Sequence, residues 1–254
     1  MKRDEIAAAF RQRRRAFVKK YGKRAFRRLD QYMARQSLVS NDPVFDAALF
    51  PWTADLEVHW REIRAELDVI LQHRDKLPRF QDISPDQMRI SPDDKWRTFV
   101  FYGFGYPSER NCGLCPETAQ VLRRIPGLES ALFSILAPGK HVPSHHGVSK
   151  GLIRCHLGLK VPTARERCVM DVGPVTCSWE EGRALVFDDT YPHAVRNDTP
   201  QERVVLLLDF RRPMNWRGRA VREVIYWLFR RTAFVKDAIR NEKQWEERFA
   251  LAKA

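Results

Sequence analysis

Five short apolar segments in the second half of the chain constrain its fold more than any other feature. Each is rich in Val, Ile, Leu or Phe, and clusters of Pro, Gly, Asp or Asn separate one from the next. The segments are Ala131–Ala137, Leu152–Leu159, Cys168–Val172, Ala184–Phe187 and Val204–Phe210. Short strands at a spacing of about ten residues are typical of an all-β sandwich or barrel, which is the fold class that we predict for this region.

Histidines are concentrated in the same region. Five of the seven in the chain fall between Ser134 and Asp209, namely His141, His145, His146, His156 and His193. Strand ends would bring several of these imidazoles to one mouth of the barrel. Since imidazole is the commonest metal ligand, the pattern indicates a metal site there.

Helical patterns surround the β region. Apolar residues recur at helical spacing from Leu56 to His73 and again from Trp216 to Val235. Pro116 and the acidic residue after it predict the start of another helix. Residues 96–102 (W-R-T-F-V-F-Y) predict a further strand. We therefore expect a basic helical arm (residues 1–40), a β domain preceded by a helix (41–214) and a helical extension (215–254).

Positive charge is concentrated at the N-terminus. Residues 1–36 contain 13 Lys and Arg against three acidic residues, which accounts for +10 of the formal net charge of +13. Apolar side chains between these charges predict a basic amphipathic helix. Three interpretations stay open: a helix that packs on the domain, an arm that binds an anionic membrane surface, and an arm that binds nucleic acid. Nucleic acid is the least favoured of the three.

Composition also bears on the compartment. The five cysteines are an odd number without the spacing of a disulfide framework, which fits a reducing cytoplasm. Cys112 and Cys115 form a C-x-x-C motif, which we interpret as cysteines packed at a helix start; a redox pair or half a zinc site are the alternatives. We find neither an apolar run of about 18 residues nor a secretory h-region. The expected location is cytoplasmic, or peripheral at the inner face of a membrane.

Several motifs in order carry a family resemblance. They are P-S-H-H-G at 143–147, I-R-C-H-L-G-L from Ile153, W-E-E-G from Trp179, F-D-D-T-Y-P-H from Phe187 and R-V-V-L-L-L-D from Arg203. Together they resemble the aspartyl/asparaginyl β-hydroxylase family of iron(II)- and 2-oxoglutarate-dependent dioxygenases. The resemblance implies a mainly β core, a double-stranded β-helix (jelly-roll, cupin-like), with flanking N- and C-terminal α-helices. It also implies an enzyme with iron(II) as its metal cofactor and with 2-oxoglutarate and O2 as cosubstrates.

The resemblance assigns the metal ligands. His145 and His193 match the two iron-binding histidines. The wider superfamily usually carries a carboxylate two residues after the first histidine, where this chain has Gly147, as the resembling family does. We expect Asp189 to orient a metal-bound water. His146, the alternative first ligand, should point to the other side of a strand.

The resemblance also assigns groups that hold 2-oxoglutarate. Arg203 matches the arginine that pairs with the distal carboxylate, and Ser134, Arg154 and His156 match further groups around this cosubstrate. A dicarboxylate needs a fixed guanidinium for bidentate pairing, so an arginine in this role is chemically sensible.

The sequence leaves two classes of substrate open as the acceptor of the hydroxyl group. The family includes protein Asp/Asn hydroxylases and bacterial lipid acyl hydroxylases. The basic residues 1–36 and the Trp- and Arg-rich segment 216–235 fit an anionic membrane surface, so we favour a lipid acyl chain over an Asp/Asn-type acceptor. That segment equally suits a helix that covers the barrel. Trp96 and Arg97 are further candidates for substrate contact.

Functions of other classes stay open. A non-catalytic cupin-like binding module with a basic nucleic-acid- or membrane-binding arm would bind iron without 2-oxoglutarate turnover. A zinc hydrolase would need a third protein ligand and a general base, and it would leave Arg203 without a role.

Overall fold

Two antiparallel β-sheets form the centre of the computed structural model, which describes residues 27–83, 88, 90–147, 149–232, 235, 237–242 and 244–245. The strands are β1 (Val44–Phe45), β2 (Trp96–Gly103), β3 (Tyr106–Pro107), β4 (Leu128–Leu136), β5 (His141–His145), β6 (Leu152–Lys160), β7 (Cys168–Val172), β8 (Val175–Ser178), β9 (Ala184–Phe187), β10 (His193–Asn197) and β11 (Arg203–Arg211). The helices are α1 (27–35), α2 (Trp52–Val58), α3 (Trp60–Leu71), α4 (Phe80–Ile83), α5 (Glu109–Leu114), α6 (Pro116–Arg123) and α7 (Trp216–Phe229).

The strand order is that of a jelly roll. The larger sheet runs β1-β9-β6-β11-β4-β2-β3, and the smaller sheet runs β5-β10-β7-β8. From β4 to β11 the chain passes between the two sheets, so that β4, β6, β9 and β11 face β5, β7, β8 and β10. This arrangement is a double-stranded β-helix, as expected from the sequence.

Two apolar layers hold the sheets in place. Along β11, Val204, Leu206 and Leu208 pack with the helices on the outer face of the larger sheet. Val205 and Leu207 point the other way, into the space between the sheets. Side chains alternate along a strand, so a continuous apolar run such as R-V-V-L-L-L covers both faces of one central strand.

Helix boundaries differ from the predicted ones. The stretch predicted as one helix from Leu56 to His73 is two helices, because His59 leaves helical geometry (φ −93°, ψ 14°) and separates α2 from α3. Helix α7 begins at Trp216 as predicted and ends at Phe229, before Val235. Helix α6 begins at Pro116 as predicted.

The predicted basic N-terminal helix lies partly outside the described residues, which begin at residue 27; residues 27–35 are helical. Cys112 lies within α5 and Cys115 directly before α6; both are buried, and neither forms a disulfide. Within the described residues, we find no helix with the length and apolar character that crossing a bilayer requires.

A buried ion cluster connects the segments around the two histidine-bearing strands. Asp188 accepts hydrogen bonds from Arg212, from Lys150 Nζ (2.6 Å) and from Thr190 Oγ1 (2.6 Å). Asp188 and Arg212 are both fully buried. Lys150 lies in the segment after β5, and Asp188 lies in the segment between β9 and β10. The cluster therefore connects the segments next to His145 and His193 to the end of β11.

Loss of this carboxylate is expected to destabilise the fold. Asp188→Asn leaves the buried Arg212 guanidinium without its ion-pair partner, which should lower the free energy of unfolding by about 3 kcal/mol or more. Denaturant unfolding measures the change. The matched control is Asp171→Asn, because Asp171 forms an exposed pair with Arg196 at 3.4 Å; its loss should cost under about 1 kcal/mol. Equal effects of both variants would contradict the assignment.

Candidate active site

Two histidines from neighbouring strands of the smaller sheet face each other. His145 ends β5, His193 begins β10, and the two residues are register partners. Their ring centroids are 4.2 Å apart. The Nδ1 atom of His145 lies 2.9 Å from the Pro143 carbonyl, and that of His193 lies 2.9 Å from the Tyr191 carbonyl. A carbonyl can only accept, so each Nδ1 carries a proton, and in the neutral form of each ring the lone pair is on Nε2, the form that ligates a metal.

Burial keeps the second histidine neutral. His193 is 3% exposed, and burial, followed by the charges of His145 and Arg154, lowers its pKa to about 3. By contrast, His146 is exposed beyond the end of β5, with its Nδ1 3.0 Å from the carbonyl of Gly147. The geometry therefore pairs His193 with His145, and not with His146.

A carboxylate occupies the space beside Gly147. A Cβ atom added at Gly147 would collide with the carboxyl carbon and both oxygens of Asp189. The backbone also joins the two residues, since the Gly147 amide donates to the Asp189 carbonyl at 2.6 Å. The carboxylate next to the histidine pair thus comes from the loop before β10, and the absence of a side chain at residue 147 makes room for it. Burial raises the pKa of Asp189 to about 6.

Arg154 lies at the same end of the barrel as the histidine pair, and two carboxylates balance its positive charge. Its Nε and Nη2 donate to the carboxylate of Asp209 at 2.7 and 3.1 Å, and its Nη2 lies 3.3 Å from Asp189. Burial would lower the pKa of Arg154, but the two carboxylates outweigh burial and raise it. Arg154 is therefore charged and already engaged at the histidine end of the interior.

Arg203, the other arginine predicted for the site, lies deeper in the interior than Arg154. Arg203 is 2% exposed, and its guanidinium carbon stands 4.5 Å from the ring centroid of Trp179. Its Nη1 donates to the Ser134 carbonyl at 3.4 Å, while its buried Nε has no hydrogen-bond partner among the described residues. Burial lowers the pKa of Arg203 to about 10, so the guanidinium is protonated at neutral pH.

His156 lies between Arg154 and Arg203. Like Arg203, it has a buried nitrogen without a hydrogen-bond partner among the described residues. The Trp179 indole donates to His156 Nδ1 at 3.1 Å. Burial, followed by the charges of Arg203 and Arg154, holds the pKa of His156 well below its ordinary value. The neutral ring therefore carries its proton on Nε2, which is buried and has no partner within the described part of the chain.

These side chains form a row across the interior. Phe187 lies between His193 and His156, and its ring centroid is 5.8 Å from that of His193 and 5.0 Å from that of His156. An unsatisfied N–H on His156 and another on Arg203 each cost free energy unless a ligand accepts from them. Two donors of this kind, beyond a pair of metal-competent histidines, fit a small anionic ligand that also reaches the metal.

The sequence as a whole matches a known family. A profile of the aspartyl/asparaginyl beta-hydroxylase family matches residues 57–213. The chain is 44% identical over 211 residues to the ornithine lipid ester-linked acyl 2-hydroxylase of Rhizobium tropici, which covers 83% of this chain and 75% of that protein. This chain belongs to the aspartyl/asparaginyl β-hydroxylase family.

More distant relatives match shorter parts of their own length. Human aspartate beta-hydroxylase domain-containing protein 2 is 37% identical over 136 residues, which is 50% of this chain and 36% of that protein. Human aspartyl/asparaginyl beta-hydroxylase is 29% identical over 163 residues, which is 62% of this chain and 21% of that protein. Among solved structures, a prolyl-4-hydroxylase of Pseudomonas putida aligns with a TM-score of 0.37 at 20% identity, over 60% of this chain and 87% of that one.

The two substrate candidates on β2 of this hydroxylase lie on opposite faces. Trp96 points into the interior, where its indole donates to Ser134 Oγ at 3.1 Å and stacks on Phe80. Arg97 points away from it and donates to the carbonyls of Asp75 (3.1 Å) and Leu77 (2.6 Å). Because side chains alternate along a strand, Trp96 and Arg97 cannot both line the interior. We retain only Trp96 in the candidate site.

Two residues of the candidate site, Trp179 and Asp209, are not among those predicted from the sequence. Trp179 contacts both Arg203 and His156, and Asp209 neutralises Arg154. The W-E-E-G motif was the available signal for Trp179. Asp209 ends the apolar run of β11, where a charge inside a strand that is otherwise buried is the signal.

In the part of the chain that the structure describes, the histidine pair does not belong to a larger cluster of possible metal ligands. Among the described residues, no group of three or more His, Cys, Asp or Glu side chains is arranged to hold a metal ion. Two imidazoles with Nε2 lone pairs and a nearby carboxylate fit an ion that keeps open positions for other ligands. A closed structural site with four protein ligands does not fit this arrangement.

Proposed function

We propose that this chain is an iron(II)- and 2-oxoglutarate-dependent hydroxylase whose acceptor is the acyl chain of a lipid. The observation that carries the proposal is the row from His145 and His193 to Arg203, with unsatisfied buried N–H groups on His156 and Arg203. Iron(II) with 2-oxoglutarate and O2 supplies the oxidising power to convert an unactivated C–H into C–OH, with succinate and CO2 as the other products.

In this proposal the two histidines hold the metal and the inner end of the row holds the cosubstrate. The carbonyls of Pro143 and Tyr191 fix both imidazole rings through Nδ1, so that metal binding does not require them to reorient. Asp189, set in place beside Gly147, orients water at the metal. The carboxylate is fixed by the loop before β10 and needs no rearrangement to act.

The cosubstrate carboxylates are assigned to three side chains. Arg154, the fourth residue that the resemblance assigns to the cosubstrate, is already paired with Asp209 and Asp189. Arg203 takes the distal carboxylate, held in place by the Trp179 ring. His156 donates from Nε2, and the Ser134 hydroxyl, which accepts from Trp96, donates its own proton. Charge-assisted hydrogen bonds from a buried guanidinium are the strongest of these contacts.

The rhizobial relative bears on the class of acceptor. The charges of the site do not select it, because Arg154 and Arg203 together balance the carboxylates of Asp189 and Asp209. The relative is named an ornithine lipid ester-linked acyl 2-hydroxylase and is 44% identical over 83% of this chain, which supports the acyl chain of a lipid as the acceptor.

A comparison of acceptors tests the proposal. The enzyme is loaded with iron(II) and 2-oxoglutarate in air and given either an ornithine lipid with an ester-linked acyl chain or an aspartate-containing peptide. We expect the lipid alone to gain one oxygen atom by mass spectrometry, with one succinate formed per hydroxylation. Arg97→Ala serves as a variant outside the site. Oxygen gain on the peptide alone would favour the Asp/Asn hydroxylase, and succinate-free samples with both acceptors would refute the proposal.

A further inference from the structure

Helix α7 exposes an apolar stripe. Trp216, Val224, Trp227 and Leu228 are between 54% and 67% exposed. At 100° per residue their positions fall within one third of the helix circumference. The opposite side of the helix is buried through Gly218, Arg222 and Tyr226. Large apolar side chains gathered on one exposed face indicate a contact surface and not scattered exposure.

Arginines border this stripe. The guanidinium carbon of Arg231 lies 3.5 Å from the Trp227 ring, and that of Arg217 lies 5.3 Å from the Trp216 ring. Arg219 is also exposed on α7. Within the described residues, these three arginines form no ion pair with an acid. Tryptophans beside unpaired arginines are the composition of a helix that lies in the interface of an anionic bilayer.

Helix α7, which carries the stripe, packs against the loop that follows His145 at the end of β5, here called the histidine loop. A Cβ added at Gly151, in the loop after His145, would lie 2.9 Å from the Tyr226 hydroxyl. In the same loop Lys150 reaches Asp188, the neighbour of Asp189. Because Tyr226 lies on the buried side of α7, a partner bound to the exposed stripe would be separated from this loop by the thickness of one helix, about 10 Å.

Helix α1 adds to this surface. Asn215 at the start of α7 donates to the side chain of Gln36 at 2.7 Å, and Asp30 of α1 accepts from the Lys150 amide at 3.0 Å. Leu29 and Tyr32 of α1 are 39% and 37% exposed. The sequence that leads into α1 carries most of the net charge of the chain. Exposed apolar and basic side chains of α1 thus lie on an element that contacts the same loop.

We infer that α7, together with α1, is the surface by which this protein docks on an anionic phospholipid bilayer. The stripe of Trp216, Val224, Trp227 and Leu228 enters the interface, and the bordering arginines contact anionic headgroups. The inference deepens the proposed function, since docking would present lipid acyl chains beside the histidine loop. A charge-complementary bilayer is the committed partner; a second copy of the chain is the competing occupant.

Vesicle flotation tests the apolar part of the surface. Vesicles of phosphatidylcholine alone are compared with vesicles that also contain phosphatidylglycerol. The wild type should bind the second kind, and Trp216→Ala/Trp227→Ala should bind them at least about tenfold more weakly, since each buried indole contributes roughly tenfold to affinity. Val58→Ser/Val69→Ser, which alters side chains 71% and 51% exposed on α2 and α3, should bind as wild type does.

A charge reversal tests the basic part. Arg217→Glu/Arg231→Glu should weaken binding to the anionic vesicles by about tenfold or more, because each basic residue near an anionic leaflet contributes on the order of 1 kcal/mol. Arg61→Glu/Arg110→Glu makes the same change in net charge at exposed positions on α3 and α5 and should have a much smaller effect. Equal losses in both double variants would show that only net charge matters and would overturn the inference.

Other results would also overturn it. If the wild type fails to float with anionic vesicles, or the tryptophan variant floats as the wild type does, α7 is not a docking surface. If the tryptophan variant instead changes the oligomeric state without vesicles, the stripe is a contact between copies of the chain. Binding is measured without iron, 2-oxoglutarate or turnover, so it stands or falls separately from hydroxylation of a lipid dissolved in detergent.

Discussion

His193→Ala is expected to abolish hydroxylation and to weaken iron(II) binding by at least about 100-fold, since even residues that only support a metal ligand change affinity by about 10- to 100-fold. His193 supplies one of two imidazoles, and its ring is fixed by the Tyr191 carbonyl with the lone pair on Nε2. Anaerobic titration with iron(II) and 2-oxoglutarate measures the change through the visible charge-transfer band. His145→Ala should behave in the same way.

His146→Ala is the matched control for this experiment. It removes an imidazole one residue from His145, but from an exposed position outside the pair. The band and the turnover should both be kept. A band that survives in the His193 variant, or is lost in the His146 variant, would contradict the ligand assignment.

The apolar strands of the larger sheet were predictable from sequence. Segments such as Leu152–Leu159 and Val204–Phe210 are apolar on both faces because helices cover one side and the smaller sheet covers the other. A long run of Val and Leu between turn residues leaves little alternative to a buried strand. Ordered motifs then indicated the family and, with it, the jelly-roll topology.

β5 and β10, the strands that carry His145 and His193, are not among the strands predicted from the sequence. β5 reads H-V-P-S-H and β10 reads H-A-V-R-N, and each is five residues long with a single Val buried in the apolar core. Strand patterns detect buried apolar side chains, and two of the three buried residues of β10, His193 and Asn197, are polar. The residues that matter most to function therefore lie where apolar periodicity is weakest.

Contacts across the barrel could not be predicted from spacing either. The collision between a Cβ at Gly147 and the carboxylate of Asp189 joins residues more than 40 positions apart. The pairing of Arg154 with Asp209 likewise depends on the register of β6 against β11. Local sequence could mark each residue as unusual, but only the paired strands show which residues meet.

Arg203→Met is expected to weaken 2-oxoglutarate binding by about 100-fold or more without weakening the fold. Charged hydrogen bonds contribute about 1.5–3 kcal/mol each, and a bidentate carboxylate pair loses two of them. Titration of 2-oxoglutarate against the iron-loaded protein measures the affinity. Iron(II) binding itself should be unchanged, because Arg203 lies at the far end of the row from the histidines.

Stability provides the second measurement for this variant. Arg203 is buried against Trp179 and, within the described part of the chain, has no carboxylate partner. Methionine of similar length removes a desolvated charge, so the free energy of unfolding should stay equal or rise. This is the opposite of the loss expected for Asp188→Asn, where a paired buried charge is stranded. A large loss of stability in Arg203→Met, with 2-oxoglutarate affinity retained, would mean that Arg203 supports the core and not the cosubstrate.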